Sequence, residues 1–128
     1  MKLLFDTHAF IWWDSDPTRL SAHALAACQN PENRLLLSVA SVWEMQIKMQ
    51  LGKLRLSLPL REIIETQQRT NQIAVLPITL PHVLVLDTLP THHKDPFDRL
   101  LVAQAIIEDA GLITKDEVFA HYPVKVIW

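Results

Sequence analysis

With 128 residues, 49% of them hydrophobic and 20% charged, residues 1–128 have the composition of a single globular domain of ordinary size, with no low-complexity tract. Twelve Lys and Arg against fourteen Asp and Glu leave a formal charge of −2, which excludes a nucleic-acid binder working through its global field; any polyanion must be held by a local patch. A lone cysteine, Cys28, excludes an internal disulfide and a cysteine-built zinc site, the opening apolar run stops at Phe5, far short of a signal peptide, and no later run reaches transmembrane length, so a cytoplasmic protein without membrane contact is expected.

Lys2 to Phe5 is a short apolar strand ended by Asp6, and Thr7 to Trp13 reads as a short helix rich in large side chains. Ser21 to Gln29 is helical in composition, with Ser21 as N-cap, Cys28 filling core space and Asn30-Pro31 as terminator. Arg34 to Ser38 is a second apolar strand. From Val39 to Leu51, Trp43, Ile47 and Leu51 recur at four-residue spacing while Glu44 and Lys48 share a neighbouring polar stripe; Gly52 stops this helix. Lys53 to Leu58 alternates polar and apolar residues as a short extended arm, and Pro59 opens a helix running to about Asn71.

Ile73 to Ile78 is the third strand, its pairing limited by Pro77. Leu80 to Leu89 reads as an apolar helix closed by Pro90, and Thr91 to Lys94 is a loop carrying His92 and His93. A helix then starts at Asp95-Pro96-Phe97-Asp98 and runs to Ala110, ended by Gly111. Leu112 to Thr114 is the fourth strand, Asp116 to His121 a short helical turn, and Val124 to Trp128 the fifth strand. This alternation predicts a three-layer α/β/α sandwich around a mainly parallel sheet of about five strands.

Asp6, Glu44, Asp98 and Asp116 each fall where a strand gives way to a helical pattern or within the first turns of a helix. In a parallel sheet such junctions share one edge, so these carboxylates can converge on one pocket, where their mutual repulsion calls for a divalent cation. Each also has a structural explanation. Asp6 and Asp116 suit N-caps, Ser41-Val42-Trp43-Glu44 fits a capping box, and Asp95-Pro96-Phe97-Asp98 mimics one. Composition and spacing leave cap and ligand both open.

The chain resembles the PIN-domain family, and within it the VapC-type toxins of toxin–antitoxin pairs. The resemblance runs from end to end. It is carried by Leu3-Leu4-Phe5-Asp6-Thr7-His8, Ser41-Val42-Trp43-Glu44-Met45, His93-Lys94-Asp95-Pro96-Phe97-Asp98-Arg99 leading into Leu100-Leu101-Val102-Ala103-Gln104-Ala105, and Ile113-Thr114-Lys115-Asp116. It implies that Asp6, Glu44, Asp98 and Asp116 are the family's acidic site residues. Asp98 is favoured over Asp95 at the third position, because an apolar helix follows it, and Asp95 becomes the N-cap with a supporting role open. His8 either faces the pocket or packs, without direct metal contact.

Clustered carboxylates select Mg²⁺ or Mn²⁺ over zinc, and the resemblance implies the same ions. The expected activity is a metal-dependent endoribonuclease: Asp6, Asp98 and Asp116 hold the metal, Glu44 completes the site or positions water, and Lys48, Arg99 and Lys115 contact RNA phosphates. Trp12, Trp13, Trp43, Met45 and Met49 supply apolar area that is mostly core; any exposed part makes a groove for an amphipathic helix, which the resemblance implies is an antitoxin, and it implies a homodimer too. His92 and His93 are read as loop or RNA-contact residues, since adjacent histidines tend to face different ways and no distant pair completes a zinc pattern. The absence of an Asp two residues after Asp6, of one ending the third strand, and of any Gly-rich loop argues against a haloacid-type phosphatase, a phosphoreceiver and a P-loop protein. The rival from another class is a catalytically silent binding module with the same fold. A DNA or structure-specific nuclease comes third, for want of an added domain or arch.

Overall fold

Leu3-Leu4-Phe5 and Leu35-Leu36-Leu37 lack the polar alternation of a half-exposed sheet, as strands covered on both faces do. The computed structural model describes residues Met1–Trp128. Strands β1 (Lys2–Phe5), β2 (Arg34–Ser38), β3 (Ala74–Leu76), β4 (Ala110–Ile113) and β5 (Val126–Ile127) form one sheet in the order β3-β2-β1-β4-β5. Every neighbouring pair is parallel, with Leu4 opposite Leu36 on one side and Leu112 on the other.

Alternate side chains of these strands enter two cores. Leu3, Phe5, Leu35, Leu37 and Ile113 pack against helices α1 (Thr7–Ser15), α2 (Ala22–Gln29), α3 (Val39–Gln50) and α4 (Leu60–Thr70). Leu4, Leu36 and Leu112 face the opposite layer, where α6 (Pro96–Glu108) supplies Leu101, Val102 and Ala105 and is flanked by α5 (Leu80–Val85). Leu4 has no exposed surface, and truncating it to Ala costs on the order of 2–5 kcal/mol. Cys28 lies in the first core, where burial pushes its thiol up to about 12 and leaves it unreactive.

The expected elements form, with differences at their ends that have physical causes. Pro59 and Ser21 cap helices as anticipated, and Gly52 takes a positive φ of 70° after α3. The third strand shrinks to Ala74–Leu76, since Pro77 has no N–H to pair. The helix from Leu80 changes to a 3₁₀ turn at Leu86–Thr88. The helix from Pro96 stops at Glu108 and not at Ala110: Asp109 takes the left-handed conformation (φ 51°, ψ 49°) expected of Gly111, and Gly111 lies within β4. A Cβ on Gly111 would meet Ile127 Cδ1 at 2.8 Å and Leu3 Cδ2 at 3.3 Å, so glycine there admits the neighbouring strands. The Ser41–Glu44 capping box does not form either; Ser38 caps α3 by accepting from the Ala40 amide, which moves Glu44 into the body of the helix.

From β1 the chain moves to β2 and β3 on one side, then to β4 and β5 on the other. The switch therefore lies between β1 and β4, where an open parallel sheet forms a crevice at the C-terminal ends of its strands. Helices α1 and α3 start from that edge, and α6, which leads into β4, has its N-terminus there.

Candidate functional site

Asp6 follows directly on Phe5 and caps α1, its Oδ1 accepting from the Ala9 amide at 2.7 Å. Burial raises its pKa; hydrogen bonding from Thr114 and Ala9 and the charge of His8 oppose this, and Asp116 adds to it. Glu44, in the second turn of α3, is buried, with Oε1 accepting from the Thr7 hydroxyl at 2.6 Å and Oε2 paired with Lys48 Nζ at 3.0 Å. With its proton given to Glu44, the Thr7 hydroxyl accepts from that of Ser41 at 3.1 Å, so the residue after Asp6 ties α1 to α3.

Asp98 enters from the first turn of α6. Asp95 caps that helix, accepting from the amides of Phe97 and Asp98 at 2.8 and 3.1 Å, which places the Asp98 side chain over the sheet edge. Its pKa is pushed up to about 7, first by burial and then by the charge of Asp95, with His93 opposing and Glu44 and Asp6 adding. Asp116 caps the 3₁₀ turn Glu117–His121, Oδ1 accepting from the Val118 amide at 3.0 Å.

These carboxylates converge, as their positions at one sheet edge require. A cavity of about 330 Å³ is lined by Asp6, His8, Trp12, Lys115 and Asp116, and after Asp95 the charges of Glu44 and Asp6 also help raise the pKa of Asp98. His93 Nε2 lies 3.0 Å from Asp98 Oδ2 and 3.2 Å from Asp116 Oδ2, and one donor atom from each of the three lies within 4.8 Å of the others. So dense a set of oxygen donors, with one acid held near neutrality by burial and its neighbours, suits a hard divalent cation. A single histidine among carboxylates is a poor zinc set.

The basic residues divide. Lys115 lines the cavity. Lys48 is bound to Glu44 and only a third exposed. Arg99 turns onto its own chain, donating to the carbonyls of Pro90 (3.0 Å), Leu86 (3.1 Å) and Leu89 (3.4 Å); with its guanidinium engaged there it leaves the set of phosphate contacts. His8 borders the cavity against Trp12. The paired histidines do face different ways, His92 packing on Tyr122 and His121, but His93 enters the acidic cluster, a role the sequence reading did not give it. Its signal was its position two residues before the α6 N-cap. Thr7 and Thr114 were missed as well, although each lies within two residues of a site acid.

The PIN domain profile matches residues 3–125. The chain belongs to the PIN-domain family. It is 31% identical over 115 residues to Ribonuclease VapC22 of Mycobacterium tuberculosis (strain ATCC 25618 / H37Rv), covering 89% of this chain and 86% of that protein. Among solved structures, this PIN domain superposes on a chain of VapBC2 from Rickettsia felis bound to a promoter DNA fragment, with a TM-score of 0.71 at 14% identity over 98% of this chain and 97% of that one. A chain of DNA-bound VapBC from Salmonella typhimurium gives 0.70 at 13% identity, covering 98% and 96%. At these identities the structural likeness establishes the fold.

Proposed function

We propose that this PIN domain is a metal-dependent endoribonuclease and the toxin of a toxin–antitoxin pair. The observation that carries the reading is the meeting of Asp6, Glu44, Asp98 and Asp116 at the switch point of a PIN fold whose relative is a VapC ribonuclease. Asp6, Asp98 and Asp116, completed by Glu44, would hold Mg²⁺ or Mn²⁺; the bound ion supplies polarisation of the phosphoryl oxygen and a lowered pKa for water. The same carboxylates would offer a base for the proton of the attacking water. Thr7 fixes Glu44 by its 2.6 Å hydrogen bond, and Lys115 offers a positive contact to a flanking phosphate.

The antitoxin reading rests on an apolar groove of about 560 Å³ between α3 and α4, lined by Val39, Val42, Trp43, Leu60 and Ile64. Met45 is core and Trp12, Trp13 and Met49 pack against the core, but Trp43 is 58% exposed, propped edge-on against Phe97. An amphipathic helix of the antitoxin laid in this groove would lie along α3, the helix that carries Glu44. A homodimer fits the exposed Leu80, Val83 and Leu84 of α5. No helix is long and apolar enough to cross a membrane.

The test is cleavage of a panel of tRNA, ribosomal fragments and single-stranded oligonucleotides by antitoxin-free protein in Mg²⁺, Mn²⁺ or chelator, beside Asp6→Asn and Asp98→Asn. Metal-dependent cutting lost in both variants supports the reading. Cutting that survives both substitutions sinks it.

A further inference from the structure

We propose that His93 is a positioning residue of the acidic site, whose Nε2–H holds the Asp116 carboxylate against that of Asp98. The two acids arrive on separate segments, Asp98 on α6 and Asp116 on the turn after β4. The Asp116 side chain is 42% exposed, and apart from His93 it bonds only the Val118 amide of its own turn, while its backbone amide donates to Thr114 Oγ1 at 3.0 Å. A long-lived geometry for it needs an outside partner, and His93 is the one present: Nε2 hydrogen-bonds Asp116 Oδ2 at 3.2 Å while touching Asp98 Oδ2 at 3.0 Å.

The imidazole is itself held firmly. Its backbone amide donates to the Tyr122 hydroxyl at 2.8 Å, that hydroxyl donates to the Pro90 carbonyl at 3.0 Å, and the ring packs on Phe119 with centroids 5.4 Å apart. Tyr122 and Phe119 are both buried, so the platform under the ring is core. His93 thus fastens the loop before α6 to the turn that carries Asp116.

The orientation of the ring separates positioning from direct ligation. Nδ1 accepts from the Asp95 amide at 3.3 Å, so the ring proton resides on Nε2, the nitrogen aimed at the carboxylates. A metal-bound imidazole has the reverse arrangement, with a bare nitrogen toward the ion and the other donating to a carbonyl or carboxylate. Here the partner of Nδ1 is a donor, so His93 is built to support the ligands and not to join them.

The inference rests on the metal-dependent reading above, and the experiment separates the two. Mn²⁺ is titrated into the RNA-free full chain at one fixed pH, the free ion read by its electron paramagnetic resonance signal, for wild type, His93→Phe and His93→Gln. Phe keeps a ring on Phe119 without the donor, and Gln keeps an N–H. Loss of such a supporting hydrogen bond weakens metal affinity by about 10- to 100-fold, so His93→Phe is expected in that range, with His93→Gln recovering part of it. Bound Mn²⁺ in the wild type should show no ¹⁴N hyperfine coupling that the His93 substitutions remove. If His93→Phe melts out in chelator, His93→Ala replaces it with the same expectation. Affinity within twofold of wild type in the donor-less variant overturns the proposal, as does tighter binding, and so does a ¹⁴N coupling lost with the ring. Wild type that binds no Mn²⁺ at all defeats the metal reading itself, and the proposal with it.

Discussion

Replacing Asp98 by Asn should make the metal-free protein more stable above neutral pH while destroying its response to metal. The folded-state pKa of Asp98 is raised from 3.8 to about 7, chiefly by burial. The native state therefore holds a proton that the unfolded chain has already released, and its stability is highest below about pH 4 and falls as pH rises through about 7. Taken at face value the shift corresponds to roughly 4 kcal/mol by pH 8. Because 24% of the side chain meets solvent, screening reduces this to about 1–2 kcal/mol. Asn is uncharged and keeps the shape of the carboxyl, so Asp98→Asn should melt higher than wild type by roughly 3–12 °C at pH 8 in chelator, at about 3–6 °C per kcal/mol for a chain of this length. At pH 4–5 the gap should close. Saturating Mg²⁺ at about 100 times Kd adds roughly 2.7 kcal/mol to the wild type alone and reverses the order. Thermal melts by circular dichroism at both pH values, with and without Mg²⁺, check this. An Asn variant less stable than wild type at pH 8 in chelator, or a gap independent of pH, refutes the reasoning.

Other substitutions separate the groups at the site. Asp6→Asn should cut RNA cleavage by at least about 10²-fold at fixed Mg²⁺, since loss of a ligand exceeds loss of a supporting residue; single-turnover rates check it. Lys115→Ala should lower the slope of log K for RNA against log salt by about 0.7, whereas Arg99→Ala should leave that slope unchanged and cost about 1–3 kcal/mol in a denaturant melt, because Arg99 satisfies carbonyls of its own chain. Trp43→Ala should weaken antitoxin binding by at least about 2 kcal/mol, roughly 30-fold, with little change in melting temperature, as judged by calorimetry on the separated partners.

The sheet was legible because Leu3-Leu4-Phe5 and Leu35-Leu36-Leu37 are short apolar runs of the kind found in strands covered on both faces, and Asp6 marks where the first ends. The acidic set was legible for the same reason: the end of a parallel strand fixes an edge. What stayed hidden depends on side-chain direction. Arg99 follows Asp98 in sequence, yet successive helix positions point about 100° apart, and it reaches back to the carbonyls of the preceding turn. His93 faces Asp116, which is distant in sequence, and no local pattern foretells that. The end of α6 was misplaced because Gly111 is the usual left-handed stop, whereas Asp109 adopts that conformation and the glycine is needed for its lack of a Cβ between Leu3 and Ile127.

Cap and ligand proved to be compatible assignments for the same carboxylates. At Asp6 and Asp116, Oδ1 accepts from a backbone amide at the start of a helical turn, which offsets part of the charge and fixes the side chain, and at Asp116 Oδ2 is left for His93. Asp98 is the exception. The N-cap bonds of α6 go to Asp95, so Asp98 sits in the first turn with no amide of its own, and its one close polar partner is His93. Burial first, and then the charge of Asp95, drive this acid up to about 7, and burial raises the capped Asp6 as well. The fold thus caps Asp6 and Asp116 through the helical turns they start, and it buries two of its acids, Asp6 and Asp98, enough to raise the pKa of each. A divalent ion bound at this edge would offset the burial of Asp98 and of Asp6 together, relieving a cost that the apo protein carries at both acids.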